Sequence, residues 1–145
     1  MATFNKVNDF VENAVHNMDL ESDQFVIALS NTAPAAETSD PSADTNGVLA
    51  NVTQITYTNL SSRNITTTSS GQTSGVYKLV LQDLTLTSTG GSTGPFRYIY
   101  IYDDTVTTPA DPLVGYYDYG SSLTLNDGDS LTVDFSEANG VLQIT

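Results

Sequence analysis

The chain has 145 residues, with 17 acidic side chains, four basic ones, a single His and no Cys. That length suits one domain, over residues 1–145. A net charge of −13 argues against nucleic-acid binding, because phosphate contacts need clustered Lys and Arg, and against anionic membrane surfaces for the same reason. Without Cys, a Cys-ligated metal site and a thiolate nucleophile are excluded. The N-terminal residues lack a basic segment followed by an apolar one, which predicts no signal peptide.

Hydroxyl side chains take the place of the usual surface charges. Thr and Ser make up 36 of the 145 residues, and only 14% of residues are charged, against about 25% in an ordinary domain. Thr, Tyr, Val and Ile favour strands, whereas Ser, Gly, Asn and Asp favour turns. Disorder is the alternative for an acidic, Ser/Thr-rich chain, but the apolar residues fall in blocks of strand length. The composition therefore predicts a mainly β domain.

The first segment predicts an amphipathic helix. Residues 3–19 carry apolar side chains at three- and four-residue spacing, which places them on one helix face with Thr3 as the N-cap. The stripe is buried either on the protein's own sheet or on a neighbouring subunit, and both interpretations stay open. Its members are Phe4, Val7, Phe10, Val11, Ala14, Val15 and Met18.

Short strands and loops follow, and together residues 24–145 predict a β-sheet domain. Residues 24–30 form an apolar run of strand length, and residues 31–47, rich in Pro, Ala, Ser and acidic side chains, predict a long surface loop. Residues 52–57 and 63–68 suit two short strands. Residues 69–75 predict a turn-rich connector.

The second half alternates more clearly. Residues 76–87 predict a strand with a bulge at 82–83, where the apolar phase changes. Residues 96–102 predict a central strand or a strand under a contact, because both faces are apolar. One face of that strand carries Phe96, Tyr98, Tyr100 and Tyr102, and the other carries Ile99 and Ile101.

The C-terminal third predicts four more strands. Residues 113–119 form one strand, and residues 123–125 and 131–135 flank the turn 126–129, a strong hairpin signal. A further turn leads into residues 141–144. Eight or nine short strands at this spacing are typical of a sandwich or a barrel.

Catalytic and metal chemistry find little support. His16, the single imidazole, has no His or Cys partner at ligand spacing. The acidic residues concentrate in turns, where Asp is expected because it bonds backbone N–H groups. Asp103, Asp104, Asp127 and Asp129 could offer oxygen ligands to calcium, but plain turn chemistry is favoured. We therefore expect no enzyme activity, no cofactor and no metal.

Tyr clusters suit interfaces, because Tyr combines a large contact area with a polar tip. Core packing is the alternative for the same residues. The predicted subunit or capsid interface comprises Phe4, Val7, Phe10, Val11, Phe96, Tyr98, Tyr100 and Tyr102.

Three blocks resemble a group of small tailed-bacteriophage virion proteins. They are the opening MATFNKVNDFVENAVHNMDLESDQFVIALSNTAP, the block TSGVYKLVLQDLTLTSTGGSTGPFRYIYIYDDT and the tail DPLVGYYDYGSSLTLNDGDSLTVDFSEANGVLQIT. The resemblance is weaker over residues 35–72. It implies a virion structural protein and names no catalytic residue.

Within that setting, a small acidic β protein is most similar to a head decoration, or cement, protein. The resemblance then implies a jelly-roll-like antiparallel β-sandwich that binds the major capsid protein as a homotrimer, on the outer capsid surface, after synthesis in the host bacterial cytoplasm. The alternatives are a tail component (tube, adaptor or fibre-associated) and a virion carbohydrate-binding module. Fold alone does not separate them.

Overall fold

The computed structural model describes residues 2–34 and 47–145. Of these residues 50% lie in strands and 8% in helices, and the sheets are antiparallel. The predicted mainly β fold with one N-terminal helix is confirmed. Most of the loop predicted over residues 31–47 lies outside the described residues. In chain order the elements are β1 (Phe4–Lys6), α1 (Phe10–His16), β2 (Phe25–Ser30), a 3-10 turn (Leu49–Asn51), β3 (Asn64–Ile65), β4 (Thr67–Thr73), β5 (Val76–Leu81), β6 (Leu84–Thr87), β7 (Thr93–Asp103), β8 (Leu113–Leu125), β9 (Ser130–Val133) and β10 (Leu142–Ile144).

Three sheets organise these strands. A five-stranded sheet has the order β1-β8-β7-β2-β3, a three-stranded sheet has the order β10-β5-β4, and a two-stranded sheet pairs β6 with β9. β7 pairs with β2 on one side and with β8 on the other. The central strand predicted over residues 96–102 is therefore confirmed.

Apolar side chains pack on both faces of the five-stranded sheet. One cluster joins this sheet to the other two, and it includes Ile101 of β7, Leu79 of β5 and Leu86 of β6. A second cluster contains Tyr100 of β7 and Val26 of β2. Because successive side chains of a strand point to opposite faces, the two clusters lie on opposite sides of the sheet.

The helix is shorter than the sequence predicts. α1 begins at Phe10 with Asp9 as its N-cap, whereas Phe4–Lys6 form β1 and pair with β8. The prediction of a helix over residues 3–19 that begins at Thr3 is wrong in its first two turns. The physical reason is that β8 offers backbone N–H and C=O groups at a sheet edge. Pairing with them satisfies the backbone hydrogen bonds of β1, and local apolar spacing does not reveal that partner.

Two local predictions in the middle and at the end of the chain are corrected. Residues 69–75 are not a connector, because most of them belong to β4, and a turn at Ser74 and Gly75, with φ of 53° and 83°, leads into β5. The turn at 126–129 forms as predicted, but its flanking strands β8 and β9 pair with β7 and β6 instead of with each other. Turn residues specify where the chain reverses, and they do not specify which strands then pair.

The bulge predicted at 82–83 is the point where the chain leaves one sheet for another. β5 ends at Leu81 in the three-stranded sheet, and β6 begins at Leu84 in the two-stranded sheet. The N–H of Gln82 donates to the carbonyl of Thr66 at 2.9 Å, and Asp83 Oδ1 accepts from a backbone N–H of residue 135 at 2.8 Å. The change of apolar phase therefore follows the change of sheet.

Candidate interaction surface

The Tyr residues of the predicted interface lie inside the chain. Tyr98, Tyr100 and Tyr102 are at most 8% exposed and pack in the second cluster, below the surface of the five-stranded sheet. A side chain buried in its own domain offers no area to a partner. The structure therefore places these three residues in core packing, the alternative that the sequence left open.

The other predicted interface residues divide between core and surface. Phe96 is buried on the opposite face of β7 from the Tyr residues. The reason is a register shift in the pairing of β7 with β8, just after Phe96. The strict alternation of faces predicted for residues 96–102 fails at that irregularity. Val7 and Phe10 are buried, and Phe4 is partly buried against the first cluster. Val11, at 51% exposure, is the one member of the set that lies open on the surface.

The surface does not gather Tyr side chains into a platform for sugars. Tyr119, at 47%, is the one Tyr in the described ranges that is classed as exposed. The carbohydrate-binding alternative therefore has one exposed Tyr side chain in the described part of the chain.

The polar candidates serve local structure. His16 lies exposed at the end of α1, with Nδ1 3.6 Å from a carboxylate oxygen of Glu12. Asp127 accepts a backbone N–H from the neighbouring loop at 2.8 Å, and Asp129 accepts one from its own turn at 2.9 Å. These are the turn roles that the sequence predicts. Over residues 2–34 and 47–145, no three acidic or His side chains are grouped for a metal ion.

β4 is the feature of the surface that stands out. Its seven residues make it the longest strand at the end of any sheet, since the others have two to four. The turn at 74–75 has two residues, so the pair that flanks it, Thr73 and Val76, is hydrogen-bonded and the pairs alternate from there. The N–H and C=O groups of Ser70 and Gln72 therefore point away from β5. Within the described ranges they have no backbone partner.

Nothing in the composition of β4 blocks the addition of another strand. Proteins usually protect an edge with Lys, Pro or a bulge. β4 reads TTSSGQT, without charge and without Pro. Its single irregularity lies near one end, between Thr67 and Ser69. The edge is therefore competent for pairing with an extended segment, which is a common mode of peptide recognition.

An open groove runs beside this edge, on the outward face of the three-stranded sheet. It has a volume of about 730 Å³. Gly71 leaves its floor uncovered, because a Cβ at that position would have no neighbour within 4 Å. The side chains that form its two walls are Ser69 and Thr73 from β4 and Val76, Lys78 and Val80 from β5.

The same region is free of acidic side chains in a chain of net charge −13. No Asp or Glu occurs between Asp44 and Asp83, and two of the four basic residues, Arg63 and Lys78, fall in that interval. Asp19 and Glu21 border a small hollow on the inward side of the sheet, next to Ser70 and Tyr77. This gap in the acidic residues is the signal that motif searching missed.

The inward side of β4 is held by a hydroxyl pair. The hydroxyl oxygens of Ser70 and Tyr77 are 2.7 Å apart. Burial raises the pKa of Tyr77 and the hydrogen bond with Ser70 opposes that rise, so the phenol stays neutral. The edge strand is thus anchored to β5 by side chains as well as by the backbone ladder.

No helix in the described part of the chain is long and apolar enough to cross a membrane. Comparison of the chain with protein-family models, curated proteins and solved structures gives no match.

Proposed function

We propose that this protein is a bacteriophage head decoration protein, which binds the outer capsid lattice and stabilises the shell. The three sequence blocks that resemble tailed-phage virion proteins support the setting. The observation that carries the proposal is the long uncharged edge of β4, because a decoration protein acts by protein–protein contact and this edge is built for such contact. The protein is no enzyme under this proposal, and it needs no cofactor.

The finer architecture belongs to the same proposal. We infer a jelly-roll-like antiparallel β-sandwich, in which the five-stranded sheet forms one layer and the two smaller sheets form the other. The apolar cluster shared by β2, β5, β6, β7 and β9 supports this layering. Such a domain presents its sheet edges at the sides, where β4 is accessible to a partner.

The proposed occupant of the β4 edge is an extended segment of the major capsid protein. Each hydrogen bond added along the edge contributes about 0.5–1.5 kcal/mol, so a few bonds per copy give a modest affinity. Many copies on one lattice then act together through repeated contacts. The lack of acidic residues from 45 to 82 keeps the desolvation of carboxylates within that stretch out of the cost of binding.

The charge of the rest of the chain fits a position outside the shell. A net charge of −13 would oppose contact with packaged DNA, whose phosphates carry the same sign. We therefore place the protein on the outer capsid surface, as a homotrimer, after synthesis in the host bacterial cytoplasm. Scattering that gives three times the 15.5 kDa chain mass supports the trimer, and a monomer at micromolar concentration contradicts it.

The test is binding of the purified protein to undecorated phage heads, with a pair of variants at the edge. Ser70→Pro removes an N–H that points away from β5. Ser70→Ala is its matched control, because both variants lose the hydroxyl that contacts Tyr77. We expect Ser70→Ala to bind and Ser70→Pro to fail, with both variants folded by circular dichroism. Equal binding of the two variants would remove the β4 edge from the mechanism.

Location is tested separately, by a virion map with the protein labelled. Hundreds of copies on the head support the decoration role. Six or twelve copies, or stacked rings in the tail, would replace it with the tail alternative.

A further inference from the structure

The strongest unexplained feature is a carboxylic acid at the end of β7. Asp103 is fully buried, with 0% of its surface exposed. Its Oδ1 accepts the backbone N–H groups of Thr105 at 2.9 Å and Val106 at 3.3 Å. Its Oδ2 is buried and has no hydrogen-bond partner among the described residues. A buried oxygen without a partner is costly, so the atom needs an explanation.

The carboxyl group of Asp103 has a second acid, Asp23, as its neighbour. The two carboxyl groups come close enough for a hydrogen bond once one of them holds a proton. Asp23 belongs to the turn after α1, where its Oδ2 accepts the N–H of Asp19 at 2.6 Å. The turn and the loop after β7 are also joined by backbone: the N–H of Asp104 donates to the carbonyl of Gln24 at 2.9 Å.

Two carboxylates in contact cannot both be charged without a large penalty, especially when one is buried. A proton on Oδ2 of Asp103 removes both problems, because the acid then donates to Asp23 and no oxygen is left unpartnered. Burial is the main reason that the pKa of Asp103 is raised from 3.8 to about 7, and the contact with Asp23 raises it further, while the two N–H donors oppose the rise.

Among the described residues, few other charged groups lie near this pair. His16 lines the hollow that also borders Asp23. Asp104 and Asp111 lie in the loop after β7, where burial first and the charge of Asp104 second raise the pKa of Asp111. Arg63 acts on Tyr102, the residue before Asp103. Of all these groups, Asp23 is the one whose charge acts on Asp103.

We propose that Asp23 and Asp103 share one proton, and that this shared proton is a pH-sensitive clamp between the turn 19–23 and the loop 104–112. Below neutral pH the proton bridges the two acids and the segments stay joined. Above neutral pH the proton leaves, the carboxylates repel, and the loop after β7 loosens.

The sign of the pH dependence follows from linkage. The folded chain holds this proton more tightly than the unfolded chain, so the contribution to stability is complete below pH 3.8 and declines as pH rises toward about 7. The folding equilibrium constant should therefore fall by up to about tenfold per pH unit across that window and level off above it.

The test compares urea unfolding from pH 4 to pH 9 for the wild type and Asp103→Asn. The Asn amide keeps the oxygen acceptor for residues 105 and 106 and supplies a permanent donor to Asp23, so we expect it to abolish that part of the pH slope. Asp104→Asn is the matched control, because its side chain is exposed next door, and it should keep the wild-type slope. The same slope in Asp103→Asn as in the wild type would overturn the proposal.

Two further measurements keep the proposal open to refutation if Asp103→Asn does not fold. Carbon-13 NMR should show the Asp103 carboxyl of the wild type titrating near pH 7, and Asp23→Asn should move that midpoint down, because its amide donates to ionised Asp103. An Asp103 midpoint near 4 would overturn the proposal. So would calcium that raises the folding constant of the wild type at pH 8 and leaves Asp103→Asn unchanged, because a cation and not a proton would then join the acids.

Discussion

Substitution of Gly115 by Ala tests how the N-terminal segment is attached. A Cβ at position 115 would lie 2.6 Å from the carbonyl oxygen of Asn5 and 2.7 Å from Cε2 of Phe4, and closer still to Phe4 Cζ. The ring can turn away, but the backbone oxygen belongs to β1 and moves only if the pairing of β1 with β8 opens. Overpacking of this kind costs about 1–3 kcal/mol.

Opening of β1 would add to that cost. The ring of Phe4 lies 5.4 Å from the ring of Tyr117, and such aromatic pairs contribute about 0.5–1.5 kcal/mol. One kcal/mol corresponds to roughly 2–4 °C of melting temperature for a chain of about this size. We therefore expect Gly115→Ala to lower the melting temperature by about 3–18 °C, and to accelerate amide exchange within β1.

Gly71→Ala is the matched control for this experiment. Position 71 lies in a strand as well, but a Cβ there meets nothing within 4 Å. Restricting the unfolded chain at such a site stabilises by about 0.4–1 kcal/mol, so its melting temperature should hold or rise. If Gly115→Ala melts like Gly71→Ala and exchanges β1 amides at the wild-type rate, the close packing of β1 on β8 is refuted.

Three further outcomes are expected. Phe10→Ala should lower the free energy of unfolding by about 3–5 kcal/mol in thermal or urea unfolding, because Phe10 is 2% exposed. Val15, on the same helix, is 76% exposed, so Val15→Ala should change that free energy by less than about 0.5 kcal/mol. Equal losses in the two variants would contradict the assignment of the buried helix face. Burial raises the pKa of Tyr117 to about 12, so stability should decline as pH rises from 10 toward 12. The absorbance step that Tyr117→Phe removes should lie near pH 12, and a removed step near pH 10 would count against this burial. Hydrogen bonds from Arg97 lower the pKa of Asp118, so the stability that they contribute is present at neutral pH and is lost as pH falls through that lowered pKa. In Arg97→Gln, NMR titration should show the Asp118 midpoint returning to an ordinary value. A midpoint that does not move would refute the pairing of Arg97 with Asp118.

The N-terminal segment shows why a correct pattern can be assigned to the wrong element. The apolar residues from Phe4 to Met18 do recur at helical spacing, and Phe10 is buried by the helix as that spacing predicts. Phe4, however, contacts Tyr117 of β8, more than a hundred positions along the chain. Helical periodicity is a local signal, and it carries no information about a distant strand edge that a short segment can complete.

Local sequence motifs do not identify the β4 edge or the pair of Asp23 and Asp103, for a related reason. β4 lacks the apolar alternation that identifies a strand, so the sequence predicts a connector there, and pairing with β5 makes it a strand. The sequence predicts an ordinary turn acid at Asp103, and the hydrogen bonds of Asp103 with the backbone of residues 105 and 106 fit that prediction. Its burial against Asp23 adds a property that a turn acid does not have.

The sequence by itself determined the β class, the positions of the tight turns and the central place of residues 96–102, because periodicity and turn chemistry act over a few neighbouring residues. The tertiary structure decided which strands pair, which face of β7 takes Phe96 and which strand is left at an edge. It also decided that Asp103 meets Asp23 across eighty positions of chain. Those outcomes depend on contacts between distant segments, where competing backbone partners and burial outweigh any local preference.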